Sequence, residues 1–269
     1  ITWQKHAQEL CGNDDNNVSG VVWRAYGGHY FSPTQAITFD AMLQTLPQND
    51  VERTVCLAAT IIAASSCAAS PGHTAQPFKA TGNAGLYLRE AWERDPIHFV
   101  KRALVTICSL CAKAKGATIV EDANSLAKRL NSEDLVFVDP PYSGVHYSRF
   151  YHVLETIARG GCGSVEGVGR YPPPHERPKS LYSIKSTAFQ AIEDLLKSLS
   201  ENGCKVIFTF PDEHCSNGLS GRGIEEVANK YFRISKRSIK TRFSTLGGNT
   251  LNRDARKVSD ELMLLLNPS

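Results

Sequence analysis

From residue 116 to its end, this chain sets short apolar runs between helical segments. ATIVEDA (117–123), the LVFV of DLVFVDPPY (134–142) and KVIFTFP (205–211) are apolar at consecutive positions and not at alternate ones. A strand of that kind is buried on both faces, which is the signature of a parallel sheet covered by helices. Helical stretches separate the runs: SLAKRLN (125–131), residues 149–159, Thr187–Glu201 with Phe189, Ile192, Leu195, Leu196 and Leu199 on one side, and Ile224–Lys230. YFRISKRSIKTR and VSDELMLLLN then read as two long strands joined by a Gly/Asn/Arg-rich loop, with no helix between them. The order β-α-β-α-β-α-β-β predicts an α/β chain, its sheet mainly parallel and closed by an antiparallel C-terminal hairpin at the edge.

The preceding residues have a different character. Ser32, Pro33 and Gln35 form an N-cap, a proline at the first helical position and a capping-box partner. Ala36, Phe39, Leu43 and Leu46 follow on one helix face. A second helix is expected from Asn49/Asp50 to about Ala69, a loop over 70–85, and further helices over Leu86–Trp92 and Pro96–Lys115. Residues 1–31 are less legible; VSGVVWRAY reads as a short strand. Three regions result: an N-terminal segment 1–31, a helical region 32–115 that reads as an insertion, and an α/β portion 116–269.

Composition excludes several classes. With 42% hydrophobic and 21% charged residues among 269, the chain can bury a core and is not a disordered protein. Eight cysteines are too sparse for a disulfide scaffold. The lone Cys108-x-x-Cys111 lies in a helical stretch and reads as two small buried residues, so no metal is expected. CLAATIIAASSCAAS (56–70) is too short to span a membrane. The net charge is only +3, yet residues 231–257 hold eight Lys/Arg and one acid, Asp254. A basic stretch on a near-neutral body suggests either a polyanion contact or a solvated surface hairpin.

Chemistry concentrates at Asp139-Pro140-Pro141-Tyr142. In open α/β sheets, ligands sit beyond the carboxyl ends of the strands. Proline after an acid fixes φ and removes an N–H donor. The surface offered is therefore all acceptor, the Asp139 carboxylate and the Pro140 carbonyl, with the flat ring of Tyr142 just beyond. This suits a planar exocyclic amine such as that of adenine or cytosine. Two acceptors hold its two hydrogens and the ring stacks on the base.

The tetrapeptide at the end of LVFV resembles the DPPY motif of S-adenosylmethionine-dependent amino-methyltransferases, mostly adenine-N6 DNA methyltransferases. The continuation SGVHYSRFYHVLETIARG (143–160), with Tyr147, Ser148, Tyr151, His152, Leu154 and Glu155, is similar to the segment after DPPY in a subset of them. With the terminal hairpin, the resemblance covers about 116–268. It implies a Rossmann-like methyltransferase sheet and methyl transfer from S-adenosylmethionine to a flipped adenine of DNA. It also implies a cytoplasmic place in restriction–modification or phage defence. Asp139, Pro140, Pro141 and Tyr142 would act on the acceptor. Asp122, with Ala123 beside it and Asp139 across from it, would bind the cofactor; Asp122 also suits an N-cap.

For nucleic acid the expected contacts are Arg149, Arg170, Arg177 and Lys179 near the long loop, and Arg237, Lys240, Arg242, Arg253 and Arg256 in the hairpin. Arg149 is set either to reach the phosphate of the flipped nucleotide or to make a surface ion pair. The family's Gly-rich F-x-G-x-G loop has no match. Gly27-Gly28 lacks a following helix, Thr81-Gly82-Asn83-Ala84-Gly85 lacks a preceding strand, and Gly247-Gly248 lies in the hairpin loop. The sequence opens on Ile1 and its first Met is Met42. The expectation is that the first strand and its loop lie upstream, come from another chain or have been lost. A non-catalytic nucleic-acid-binding subunit, an N4-cytosine methyltransferase and an RNA methyltransferase are the alternatives.

Overall fold

The structure, a computed structural model, describes residues 3–13, 20–110, 112–244 and 256–269, with backbone only at 241–244 and 256–259. It divides into two compact units, Ile1–Lys115 with Ser148–Pro178, and Gly116–Tyr147 with Lys179–Ser269. Residues 148–178, which the sequence groups with the α/β portion, fall in the helical unit.

The first unit is helical: α1 (Trp3–Gly12), α2 (Val21–Tyr26), α3 (Pro33–Gln44), α4 (Asp50–Cys67), α5 (Gly82–Trp92), α6 (Pro96–Ser109) and all but the first residue of α8 (Tyr147–Arg159). The Ser32 capping box forms as expected, with both reciprocal bonds present. Gln35 does more than cap, since its amide also donates to the Ala91 and Arg94 carbonyls at 2.9 and 2.8 Å. Asn49 caps α4 through Val51 N and Glu52 N. Alanines at 59, 63 and 64 are fully buried on α4 and let neighbouring helices approach closely. The core gathers Tyr26, Phe31, Phe39, Ala63, Val153 and Ile157.

One expectation is corrected here: VVWRAY is a helix, α2, and not a strand. Its β-branched start favours a strand locally. The carboxylate of Asp40, buried on α3, decides otherwise by accepting from Val22 N at 2.9 Å and Trp23 N at 2.8 Å. Two orphan donors at a helix start are thereby satisfied from another element.

The second unit holds α7 (Ala123–Ala127), β1 (Leu135–Val138), α9 (Ala188–Glu201), β2 (Lys205–Pro211), α10 (Gly221–Ala228), β3 (Phe232–Ser244) and β4 (Arg256–Pro268). The sheet order is β1-β2-β4-β3. β1 and β2 run parallel, from Leu135 opposite Lys205 to Val138 opposite Phe208. β4 is antiparallel to β2 and to β3. Val138, Val206, Phe208, Leu264 and Leu266 share one core with Ile192, Leu196 and Leu199 of α9.

The sheet is therefore mixed, in an α/β unit, with one parallel and two antiparallel pairings among the described residues. The expected strand at 117–123 is not formed. Ile119 and Val120 are 59% and 99% exposed, so this run has no sheet neighbour to bury it. The same lack shows on β1, an edge strand among the described residues, whose Leu135 and Phe137 are each 63% exposed. Cys108, expected buried, is also exposed, and Cys111 lies outside the described residues.

Candidate active site

β1 ends because two consecutive prolines cannot continue a hydrogen-bonded ladder. Asp139 is the first residue past the last β1–β2 pair, and Thr209 is the residue past Phe208 on the neighbouring strand. The Thr209 hydroxyl, 5% exposed, donates to Asp139 Oδ1 at 3.3 Å. The carboxylate itself is exposed, while Pro140 is buried and anchors the turn.

Asn217 holds the motif from behind. It is fully buried, and its amide nitrogen donates to the Pro141 carbonyl at 2.8 Å and to the Tyr182 carbonyl at 2.9 Å. Its own carbonyl accepts from Leu219 N at 3.3 Å. Gly144 N donates to the Ser216 hydroxyl at 2.9 Å, so the loop after Tyr142 is tied to the same neighbour. Tyr142 stands 37% exposed, an accessible ring beside an accessible carboxylate. Thr209 and Asn217 escaped the sequence reading. Neither belongs to a local motif, and only the parallel pairing of β1 with β2 brings them to Asp139-Pro140-Pro141.

A cavity of about 450 Å³ opens at this strand end. Asp122, Ala123, Asp139, Pro140, Pro141 and Lys179 line it. Five of the six expected acceptor and cofactor residues thus share one wall system, and Tyr142 stands just beyond it. Its apolar walls include Leu126, Leu130, Val136 and Phe137. A slot of this size with apolar walls and carboxylates suits a flat heterocycle carrying hydroxyls. Asp122 does cap α7, accepting from Ser125 N at 3.0 Å. Glu121 beside it pairs with Arg129. The Tyr182 hydroxyl donates to the side-chain Oδ1 of Asn124, and burial pushes the phenol's pKa up.

The expected nucleic-acid residues fall into four groups. Arg149 and Arg177 each lie over the Tyr171 ring, at 5.3 and 5.6 Å from its centre. Arg170 is used internally: its Nε donates to the Ala25 carbonyl at 2.8 Å and one Nη to the Arg24 carbonyl at 2.9 Å. It does so from a left-handed backbone, φ 54°, closing the turn between the bridged residues Glu166 and Tyr171. Lys179 lies in the cavity wall. Arg237 and Lys240 are exposed on β3, opposite Met263 and Asp260. Arg242 and Arg256 lie near the strand ends, opposite Val258 and Ser244, and Arg253 lies outside the described residues.

Comparison with known families bears on this strand end. Residues 57–169 match the D12 class of N6 adenine-specific DNA methyltransferases. The resemblance read from DPPY and the helix behind it is thereby borne out. The D12 match takes in β1, the DPPY turn and α8, and it also reaches back through α5 and α6, where the sequence offered no motif. The chain is 28% identical over 141 residues to the modification methylase StsI of Streptococcus sanguinis, covering 52% of this chain and 20% of that protein. It is 29% identical over 155 residues to the type II methyltransferase M.FokI of Planomicrobium okeanokoites, covering 56% and 23%. The chain thus spans about a fifth of the length of these two curated relatives. No solved structure matches. Among the described residues no helix is long and apolar enough to cross a membrane, and no cluster of three metal-ligating side chains occurs.

Proposed function

We propose that this chain carries the acceptor side of a DNA adenine-N6 methyltransferase that works from S-adenosylmethionine. The observation that carries the reading is Asp139-Pro140-Pro141-Tyr142 at the end of β1, inside the matched span, with its first three residues on the wall of the 450 Å³ cavity.

The residues divide the work as follows. A base inside a duplex is out of reach and must be extruded, which costs a few kcal/mol of unstacking. Stacking on the exposed Tyr142 ring returns about 1–3 kcal/mol. The Asp139 carboxylate and the Pro140 carbonyl accept from the two N6 hydrogens and turn the nitrogen lone pair outward. Thr209 fixes one carboxylate oxygen, and Asn217 fixes the turn, so the acceptors are set before substrate arrives. Such preorganisation is where a transfer reaction of this type gains most. Asp139 need not be a strong base, because the amine becomes acidic only as its new bond forms.

The cavity residues suit the adenosine half of the cofactor, with Asp122 and Asp139 as acceptors and Leu126, Leu130 and Phe137 as walls. When bound, the cofactor would supply the methyl group as an electrophile. In this reading the full sheet is Rossmann-like and mainly parallel, and a further strand with its Gly-rich loop, from this or another chain, joins the free edge of β1. The exposure of Leu135, Phe137 and Val120 supports that completion. Residues 116–269 then form the catalytic portion and 32–115 a helical insertion. Arg237, Lys240, Arg242, Arg253 and Arg256 would contact phosphates, and the setting would be cytoplasmic, in restriction–modification or phage defence.

The test is transfer of labelled methyl to duplex DNA by the whole protein, with nucleoside analysis of the product. N6-methyladenine is expected. Asp139→Ala and Tyr142→Ala should abolish it while leaving the far-ultraviolet circular dichroism unchanged. Undiminished transfer by Asp139→Ala would overturn the mechanism, and N4-methylcytosine would move the substrate to the alternative base.

A further inference from the structure

The helical unit holds a cluster that the acceptor site does not use. Arg149, at the start of α8, is exposed; Arg177, just after a short helical turn at Pro174–Glu176, is half-buried. Both guanidinium groups lie against the single ring of Tyr171, within 5.3 and 5.6 Å of its centre. One cation over an aromatic ring is favourable. Two on the same ring repel one another unless an anion joins them.

The described residues supply none. Among the described residues neither arginine has a carboxylate within 4.0 Å. The acids nearest in sequence are committed elsewhere. Glu155 pairs with Arg159, and both carboxylate oxygens of Glu176 accept from Gly163 N. Arg177 Nε is buried with no hydrogen-bond partner, and so is Nε2 of His73, whose ring packs on Phe150 next to Arg149.

The platform under the two cations is rigid. The Tyr171 hydroxyl donates to the Ala75 carbonyl at 2.5 Å. A Cβ added at Gly169 would run into the Tyr171 ring, so only glycine lets the ring sit there. The imidazole of His152, 4.8 Å from the same ring, has its pKa driven down to about 4. Burial is the main cause, and the positive field of Arg177 and Arg149 adds to it.

We infer that Arg149, Tyr171 and Arg177 form one phosphodiester site, in which both guanidiniums grip a single backbone phosphate of the nucleic acid. Only the identity of the anion as nucleic acid rests on the proposed function. Paired N–H donors match the oxygens of a phosphate. The site is distinct from the basic hairpin, and it gives position, not sequence choice.

The experiment is binding of a labelled duplex to the whole protein, without methyl donor, across a series of KCl concentrations. Each phosphate contact contributes about 0.9 to the slope of log K against log salt. Arg149→Gln and Arg177→Gln, each leaving one guanidinium on the shared phosphate, should weaken binding with a slope change well under 0.9, whereas the double variant should lower the slope by about 0.9. Arg89→Gln, an exposed arginine paired with Glu93, serves as the control with no change. A drop of about 1.8 in the double variant would mean two independent contacts and would overturn the shared site. An unchanged slope in the double variant, or no binding by the parent protein, would also overturn it. Calorimetry with inorganic phosphate separates the sources: uptake lost in the double variant, with DNA slopes unaffected, would assign the site to free phosphate. Since no methyl donor is present, failure of the acceptor mechanism at Asp139 leaves this result untouched.

Discussion

Asn217→Ala tests whether the DPPY turn is held by a single buried amide. The wild-type side chain is fully buried and makes three bonds, to the Pro141 carbonyl, the Tyr182 carbonyl and Leu219 N. A typical hydrogen bond contributes about 1 kcal/mol net, and a buried group left unpaired costs about 1–3 kcal/mol. The 3.3 Å bond to Leu219 is the weakest of the three, so the two carbonyl bonds dominate. Water entering the space left by the side chain offsets part of the loss. The expected destabilisation is about 3 kcal/mol, or roughly 10 °C in Tm at about 3 °C per kcal/mol. Asn217→Asp should be worse than Asn217→Ala, because it sets a carboxylate against two carbonyl oxygens and removes both donors. The assay is thermal unfolding followed by circular dichroism, with methyl transfer measured well below the transition. Transfer should fall in both variants even where the protein is folded, since the turn carrying Asp139 and Pro140 loses its tether. Wild-type melting and wild-type transfer in Asn217→Ala would refute the reasoning. An Asp variant more stable than the Ala variant would refute the assignment of the amide nitrogen as donor.

Three further outcomes are expected. Calorimetry should find weak or no binding of S-adenosylmethionine to residues 1–269 by themselves; tight 1:1 binding would show that these residues complete the donor site. Arg170→Ala should lower stability by about 2 kcal/mol, because it loses two carbonyl bonds and keeps the left-handed backbone, whereas Arg170→Gly should lose less by relieving that backbone; equal melting temperatures for the two would count against strain at this turn. Nε2–H of neutral His152 donates to the Gly169 carbonyl at 2.7 Å, and burial brings the residue's pKa down from the usual 6.5 to about 4. As pH falls below about 6.5 the unfolded chain takes up a proton that the folded one refuses, so stability falls progressively down to about pH 4, by on the order of 3 kcal/mol. His152→Gln should shrink that pH dependence in denaturant titrations, leaving the share of His29, whose pKa burial also lowers to about 4; an unchanged pH profile would count against a neutral histidine.

Local signals were readable from the sequence where local contacts decide. Ser32, Pro33 and Gln35 announce α3, and the structure makes that capping box. Leu135–Val138 followed by Asp139-Pro140 announces both a strand and its end. The misreadings have distant causes. VVWRAY is helical because Asp40, far along the chain, feeds its first amides. ATIV is not a strand, because an apolar run needs a neighbour to pair with and has none among the described residues. Thr209 and Asn217 look ordinary in sequence, since a threonine in KVIFTFP and an asparagine in a Ser-Asn-Gly turn are both commonplace. Their roles arise from the register of β1 against β2 and from the packing of the loop after β2. Arg170 shows the converse. A basic residue in a basic loop reads as a phosphate ligand, yet its donors go to backbone carbonyls.

The open side of β1 has a practical consequence. Its outward amides and carbonyls form a ready template for another strand, and Leu135 and Phe137 add adhesive side chains. Natural sheets guard such edges with lysine, proline or a covering element. Among the described residues β1 has none of these along Leu135–Val138, and its prolines come only after the strand has ended. Produced as residues 1–269, the protein is therefore expected to stack edge to edge as its concentration rises. Its solubility then becomes a readout of whether that margin is covered.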